Sequence, residues 1–200
     1  MPPSILITRA STADLPAITT LIASSMTTNP INMAVFKGTN PHIQKQQQKM
    51  FSIVLSMPQC NIYKATINGE LAGAMNIARS PACQLNFLQK LSVVPGLLVT
   101  LGATLPRVLH WTGNWEKHDP KTPHWHLGPL AVATNKQGQG IGSALLTWFC
   151  HFVDEKKEAA YLETDKPENV RLYEKFGFVV KEEDVVYGAK NWFMFRDALI

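Results

Sequence analysis

The 200-residue sequence predicts a mixed α/β fold, in which helices flank a sheet of about seven strands. Short apolar runs of strand length alternate with longer segments whose apolar residues recur at helical spacing. Asn68-Gly69 separates two strand-like runs, which is a strong signal for a two-residue hairpin. The segment Asn135–Ser143 places three glycines between a predicted strand and the longest predicted helix. The predicted order is β-α-α-β-β, an irregular segment, and then β-α-β-α-β-β.

The elements of the first 80 residues follow from periodicity and from local caps. Ser11 or Thr12 can cap the first helix, and Asn29-Pro30 interrupts the helical pattern. The predicted elements are a strand at Ile5–Thr8, helices at Asp14–Ser25 and Pro41–Ser56, and hairpin strands at Asn61–Ile67 and Glu70–Ala78.

Residues 80–123 are the least regular part of the chain, and we expect two helical pieces there.

The C-terminal elements are bounded by glycines. Gly177 is positioned to end a short helix, and Gly188 lies at the turn of a closing hairpin. The predicted elements are helical pieces at Cys83–Leu91 and Leu97–Trp111, strands at Trp125–Ala133 and Ala159–Thr164, helices at Ser143–Lys157 and Pro167–Phe176, and hairpin strands at Phe178–Val186 and Asn191–Arg196.

Composition excludes several classes of protein. With 46% hydrophobic and 17% charged residues, the chain has the make-up of a soluble globular protein, and one domain covering 1–200 with an insert at about 80–123 is expected. The net charge of +4 is small and no Lys/Arg block occurs, so no nucleic-acid partner is predicted.

The apolar segment Val93–Leu109 is interrupted by Pro and Gly, so we predict no membrane span. Met1–Arg9 has no signal-peptide pattern. Three scattered cysteines predict a reducing, cytoplasmic location.

The glycine-rich turn predicts a phosphate-binding site. A turn between a strand and a helix exposes unpaired N–H groups beside the positive end of the helix dipole. The nucleoside-triphosphate loop does not fit, because no lysine follows Gly142, and the dinucleotide fingerprint does not fit the glycine spacing. The pattern that fits is Gln/Arg-x-x-Gly-x-Gly/Ala, supplied by Gln137, Gly140 and Gly142.

That pattern resembles the acetyl-coenzyme A pyrophosphate loop of the GCN5-related N-acetyltransferase (GNAT) family. The strands His126–Val132 and Tyr161–Thr164 are similar to the family's fourth and fifth strands, and Pro167–Phe178 resembles its Asn-x-x-x-x-Tyr-x-x-x-Gly-Phe block. The resemblance covers nearly the whole chain except residues 80–123. It implies a mostly antiparallel, twisted sheet that splays between its fourth and fifth strands, with acetyl-CoA as cosubstrate.

The resemblance also implies which residues form the site. Backbone groups of the fourth strand would bind the pantetheine arm, and the glycine turn would bind the pyrophosphate with help from Lys136 or the Gln137 amide. The predicted coenzyme-binding residues are Leu130, Ala131, Val132, Gln137, Gly138, Gln139, Gly140, Ile141, Gly142, Ser143, Asn169 and Tyr173. A helix cap is the alternative interpretation for Asn169, and aromatic packing is the alternative for Tyr173; coenzyme contact is favoured for both.

Three residues are candidates for catalysis. In similar acetyltransferases the tyrosine at the position of Tyr173 protonates the leaving thiolate. An attacking amine must lose a proton, and His126, with an ordinary pKa of about 6.5, is the preferred base; Glu163 is the second candidate. A metal set of His124, His126 and His118 lacks a fixed further ligand, so no metal site is predicted.

The predicted function is acetyl transfer from acetyl-CoA to a small-molecule amine by direct attack in a ternary complex. Gly188–Arg196 also resembles part of antibiotic acetylases such as puromycin acetyltransferase, which favours a small acceptor. The acceptor site is expected among the first two helices, the irregular segment and the final hairpin, with aromatic residues drawn from Trp111, Trp115, Trp125, Trp192 and Phe36. A coenzyme-A sensor without turnover and a nucleotide-binding module are the alternatives, and the sequence leaves a homodimer open.

Overall fold

The computed structural model describes residues 4–199, so the first three residues of the segment assessed for a signal peptide lie outside the described part. The strands are β1 (Ile5–Arg9), β2 (Asn61–Ile67), β3 (Glu70–Arg79), β4 (His124–Val132), β5 (Ala159–Thr164), β6 (Val179–Val186) and β7 (Ala189–Arg196). The helices are α1 (Leu15–Met26), α2 (Pro30–Phe36), α3 (Pro41–Leu55), α4 (Phe87–Leu101), α5 (Leu105–His118), α6 (Ile141–Lys156) and α7 (Pro167–Glu174).

All seven strands form one sheet in the order β1-β2-β3-β4-β5-β7-β6. Every neighbouring pair is antiparallel except β4 and β5, which run parallel. These two strands pair only from His124–Ala159 to His126–Tyr161 and then separate. The predicted mixed fold, with its splay between the fourth and fifth strands, is confirmed.

Local chemistry explains the elements that the sequence predicted well. Ser11 and Asp14 form a capping box that begins the first helical segment, and the Ser11 N–H donates to Asp14 Oδ2 at 2.8 Å. Asn68 and Gly69 both adopt positive φ, at 51° and 81°, which is the backbone of a type I′ hairpin turn. The β2–β3 hairpin therefore begins and ends within one residue of its predicted bounds.

Helix α2 was missed, because Asn29-Pro30 was interpreted as a break. Proline is also favoured at the first position of a helix, and Pro30 occupies that position in α2. Two long-range contacts hold this short helix: the Ile31 N–H donates to Asp165 Oδ2 at 2.7 Å, and Arg107 Nε donates to the Val35 carbonyl at 2.9 Å. Tertiary contacts therefore stabilise both ends of α2.

The irregular segment forms two helices, later in the chain than predicted. Asn86 caps α4, since its Oδ1 accepts from the Gln89 N–H at 2.9 Å. By length and composition alone, the continuous helical stretch Phe87–His118 could cross a membrane. In this fold the turn Gly102–Thr104 divides it, and its two halves pack against α3 and α2.

The sheet separates two hydrophobic clusters. One joins β2, β3 and β4 to helices α1 to α5, and the other places α6 and α7 against the opposite face of the sheet. The residues of α6 that complete this second cluster are fully buried: Leu145, Leu146 and Phe149 are each 0% exposed. The N-terminus of α6 is thereby held over β3 and β4, which positions the glycine turn.

Replacing Gly73 of β3 by alanine should destabilise the fold. The added Cβ would lie 2.9 Å from Ile141 Cγ2 and 3.1 Å from the Ala131 carbonyl oxygen. Overpacking of this kind costs about 1–3 kcal/mol, so the free energy of unfolding in urea should fall by that amount. Gly113→Ala is the control, because open space surrounds that position in α5. Equal stability of the Gly73→Ala and wild-type proteins would contradict the packing described here.

Candidate active site

The glycine turn adopts the conformation that its composition requires. Gly138 and Gly140 have φ values of 76° and 80°, which other residues adopt only with strain. Gly140 is the N-cap of α6, so the helix begins at Ile141, two residues earlier than predicted. Gly142 differs from the other two: its φ is ordinary and a Cβ there would lie 3.7 Å from Val132 Cγ2. The protein backbone alone does not require glycine at position 142.

A cavity of about 520 Å³ extends from this turn to α7. Its lining contains every predicted coenzyme-binding residue except Gln139, which is exposed outside it. The lining residues from the prediction are Leu130, Ala131, Val132, Gln137, Gly138, Gly140, Ile141, Gly142, Ser143, Asn169 and Tyr173. A strand edge, a helix N-terminus and a short helix thus meet around one groove.

The two side chains expected to reach an outer phosphate are already engaged. Lys136 Nζ lies 2.8 Å from Glu70 Oε2 at the β2–β3 hairpin. Gln137 Nε2 donates to the Val132 carbonyl at 3.4 Å. The groove is also lined by Ile141, Gly142 and Ser143, the first residues of α6, whose backbone N–H groups have no partner within the helix.

The splay between β4 and β5 exposes the backbone of β4. Past His126, the strand bulges at Gly128-Pro129, and Asn76 Nδ2 donates to the Gly128 carbonyl at 3.0 Å. In the part of the chain that the structure describes, Leu130–Val132 pair with β3 on one side only. The other edge of β4 can accept an extended ligand as a further strand would.

Tyr173 and Asn169 lie on α7 at the junction of the groove with a second cavity. Tyr173 is 7% exposed, and burial raises the pKa of its hydroxyl, which therefore stays protonated at neutral pH. Asn169 Nδ2 donates to Thr164 Oγ1 at 3.2 Å, at the end of β5. Asn169 is not the cap of α7, whose N-cap is Lys166.

The second cavity has a volume of about 360 Å³ and opens on the side of α2 to α5. Trp111 and Trp115 line it as predicted, with their rings edge to face at 5.0 Å between centroids. Phe36, Trp125, Trp192 and the final hairpin do not line this cavity. Trp192 and the hairpin lie away from it because β5 separates β6 and β7 from β4. Trp125 packs instead against Phe152 of α6, at 4.8 Å between ring centroids.

His126 and Glu163 form a hydrogen-bonded pair in the wall of the second cavity. His126 Nε2 lies 2.7 Å from Glu163 Oε2, although 37 residues separate them. Burial lowers the pKa of His126, but the Glu163 charge, together with hydrogen bonding to Cys83 and Glu163, outweighs burial and raises that pKa to about 10. Among residues 4–199, Glu163 Oε1 is buried without a hydrogen-bond partner of good geometry. The Tyr161 hydroxyl is near enough to Glu163 that this carboxylate, after burial, contributes to raising the pKa of Tyr161. The two candidate bases thus form a single unit.

Cys83 and Asp119, which sequence reasoning missed as site residues, extend this unit. The Asp119 carboxylate lies 3.6 Å from His124 Nε2 and 3.7 Å from His126 Nδ1, and Cys83 Sγ is 4.0 Å from His124 Nε2. Burial raises the pKa of Cys83, yet hydrogen bonding to His124 and His126 outweighs it, so its net pKa is lowered. Only the fold could reveal them, because both lie in irregular segments.

The side chains that could hold a metal are not the histidine trio considered from sequence. His118 bonds Glu182 through Nδ1 at 2.5 Å and Asp184 through Nε2 at 3.3 Å. The ligand atoms of Cys83, Asp119 and His124 do lie within 4.8 Å of one another. Gln84 Nε2 already donates to Asp119 at 2.6 Å, so hydrogen bonds satisfy this cluster in part.

Comparisons with known proteins agree with this geometry. A relative from Paenarthrobacter aurescens (strain TC1), described as a mycothiol acetyltransferase, is 35% identical over 85 residues, which are 40% of this chain. The match spans only a quarter (25%) of that relative's length.

Solved structures share the fold over nearly their whole length. A Corynebacterium glutamicum protein, described as histone acetyltransferase HPA2 and related acetyltransferase, has a TM-score of 0.70 at 21% identity and covers 100% of this chain and 98% of its own. Arylalkylamine N-acetyltransferase 2 from Aedes aegypti has a TM-score of 0.62 at 14% identity, covering 97% and 99%.

The sequence model of the acetyltransferase (GNAT) family matches residues 31–178, which include the glycine turn, the splayed strands and α7. This chain belongs to the GNAT family of acetyltransferases.

Proposed function

We propose that this protein transfers an acetyl group from acetyl-CoA to the amine of a small molecule by direct attack in a ternary complex. The observation that carries the proposal is the meeting of two cavities at Leu130, Asn169 and Tyr173. A carrier bound in the groove would present its thioester at this junction, where a molecule in the second cavity could reach it.

Different residues would bind the carrier and carry out the steps of acetyl transfer. N–H groups at the start of α6 would hold the pyrophosphate, and the free edge of β4 would hold the pantetheine arm. The amine nitrogen attacks the thioester carbonyl, a C–N bond forms, and the C–S bond breaks. N–H groups of Leu130–Val132 would stabilise the developing oxyanion. His126 takes the proton from nitrogen, and Tyr173 donates one to the leaving sulfur.

The raised pKa of His126 predicts the pH dependence. His126 accepts a proton only when it is neutral. Therefore kcat/KM should increase with pH, and the rising limb of the profile should lie at alkaline pH. Glu163→Gln removes the charge that raises this pKa, so the limb should move to lower pH by roughly one unit or more. Rates measured with acetyl-CoA between neutral and alkaline pH test this.

Glu182→Gln is the matched control, because Glu182 bonds another histidine, His118, outside the cavity. Its pH profile should coincide with that of the wild type. Coincident profiles of the Glu163→Gln and wild-type proteins would remove His126 from the role of base.

Initial-rate kinetics separate direct transfer from an acyl-enzyme. With both substrates varied, double-reciprocal lines should intersect, and Cys83→Ala should leave this pattern unchanged. If the wild type instead gives parallel lines and Cys83→Ala does not, the Cys83 thiol, whose pKa is lowered, would be identified as a nucleophile.

A coenzyme-A sensor without turnover is the second candidate. Calorimetry with coenzyme A, ATP and NAD, together with thiol release over a panel of polyamines, aminoglycosides, amino acids and aryl amines, distinguishes the two functions. Binding of coenzyme A without thiol release for any amine would favour the sensor. The proposal includes a cytoplasmic location. It is supported by the three cysteines, which form no disulfide with one another: Cys60, Cys83 and Cys150.

A further inference from the structure

The second cavity has a strongly uneven distribution of polar groups. Its wall toward α3, α4 and α5 is mainly apolar and aromatic, formed by residues such as Phe51, Leu97, Val108 and Trp111. The indole Nε1 of Trp111 is a buried donor in this wall without a partner among residues 4–199. Each of these four side chains is less than 10% exposed. Its carboxylates, Glu163 and Asp165, lie instead near the junction with the coenzyme groove. A molecule in this cavity would therefore have one polar end and one apolar end.

Three hydrogen-bond acceptor atoms in the lining of this cavity have no donor partner among residues 4–199. They are Glu163 Oε1, Asn76 Oδ1 and Asn32 Oδ1. Asn32 and Asn76 are 2% and 7% exposed, and the Glu163 side chain is 3% exposed. Buried acceptors without partners are costly, and native proteins retain few of them. A primary ammonium carries three N–H donors, the number that these acceptors could take.

Asp165 is less available to such a ligand than Glu163. Its Oδ2 accepts the Ile31 N–H at the start of α2, and burial raises its pKa. Glu163 also pairs with His126, which can receive the proton that the amine loses. The ammonium end is thus placed beside the group that must deprotonate it.

The cavity lacks groups that would accept a second charge. Within residues 4–199, its lining contains no lysine or arginine that could pair with a carboxylate or phosphate. The apolar wall offers no carboxylate to a second ammonium, and leaving such a charge unpaired in an apolar site is very unfavourable. Amino acids, polyamines and aminoglycosides are therefore poor matches.

We propose that the acceptor is a hydrophobic monoamine, whose ammonium is held by Glu163, Asn76 and Asn32 and whose alkyl or aryl tail packs against the α3–α5 wall. This inference rests on the proposed acetyl transfer, and it adds the substrate class. The unpartnered acceptors carry it, together with the lack of cationic lining.

Matched amines of one chain length test the inference with the full-length protein. Pentylamine, cadaverine and δ-aminovalerate each have five carbons and differ at the fifth carbon, which is a methyl group, a CH2 that carries an ammonium, or a carboxylate. We expect kcat/KM in thiol release to be roughly 100-fold higher for pentylamine than for the other two, and higher again for phenethylamine. Calorimetric titration of pentylamine into the protein–coenzyme A complex provides a readout independent of turnover.

Thr112 allows a charge to be placed at the apolar wall without disturbing the core. It lines the cavity from α5 and is itself exposed. Thr112→Glu should raise the cadaverine-to-pentylamine ratio of kcat/KM by roughly tenfold, because a carboxylate then faces the second ammonium, whereas Thr112→Lys should not raise it.

The outcomes separate the two proposals. A wild-type preference for cadaverine, δ-aminovalerate or an aminoglycoside would overturn the substrate class and leave acetyl transfer standing. Binding of coenzyme A with no thiol release from any amine would overturn acetyl transfer. If pentylamine also fails to bind the coenzyme complex in that case, the substrate class is overturned with it.

Discussion

Replacing Gly142 by glutamate should abolish coenzyme binding while the protein remains folded. Gly142 lines the groove at the second residue of α6, where a new carboxylate would face the pyrophosphate. Like charges brought together in a binding site cost several kcal/mol, so Kd for coenzyme A should rise by roughly 100-fold or more. Calorimetric titration with coenzyme A measures the change.

Folding should tolerate this substitution for two reasons. An acidic side chain in the first turn of a helix interacts favourably with the helix dipole. The nearest atom to a Cβ at this position, Val132 Cγ2, is at ordinary contact distance, 3.7 Å. The unfolding free energy of Gly142→Glu should therefore stay close to that of the wild type.

Gly142→Ala is the matched control at the same position. Alanine adds the Cβ without the charge, and the Gln/Arg-x-x-Gly-x-Gly/Ala pattern accepts it. Its affinity for coenzyme A should remain near that of the wild type. If Gly142→Glu binds coenzyme A normally, the pyrophosphate does not lie at this turn, and the proposed function loses its basis.

Tyr173→Phe should lower kcat by about tenfold or more, because the variant lacks the hydroxyl that protonates the departing thiolate. Burial keeps that hydroxyl protonated, since it raises the pKa of Tyr173. The phenylalanine ring retains the packing of Tyr173 against Phe178, whose ring centroid is 6.1 Å away. Affinity for coenzyme A, measured by calorimetry, should change little.

Tyr63→Phe is the control for loss of a tyrosine hydroxyl. Tyr63 packs against Trp148 of α6 at 4.1 Å between centroids and lines neither cavity. Its kcat should equal that of the wild type. Unchanged turnover in Tyr173→Phe would assign protonation of the thiolate to solvent or to another group.

Local sequence signals predicted most of the fold because they act over few residues. The Asn68-Gly69 turn, the Ser11–Asp14 capping box and the glycines before Ile141 each determine a conformation within about one turn of chain. Helix α2 was beyond such reasoning. Its ends are held by Asp165 and Arg107, which are more than 70 residues away in the chain.

The residues around the groove at the glycine turn were predicted better than those of the second cavity for the same reason. Most of the groove comes from one continuous segment, Leu130–Ser143, whose glycine spacing can be recognised in the sequence. The second cavity combines α2, α3, α4, α5 and three strands, and its polar end depends on contacts such as His126 with Glu163. Cys83 and Asp119 gave no sequence signal, since neither belongs to a motif.

The sequence alone therefore determined the strand order along the chain, the glycine turn before α6 and the short helix that carries Tyr173, because each is encoded in residues close to one another. Only the tertiary structure decided that His126 and Glu163 form one pair, that α2 lines the second cavity, and that three acceptors without partners among residues 4–199 lie in that cavity. Those features arise where distant segments pack together, and the spacing of residues along the chain carries no record of such contacts.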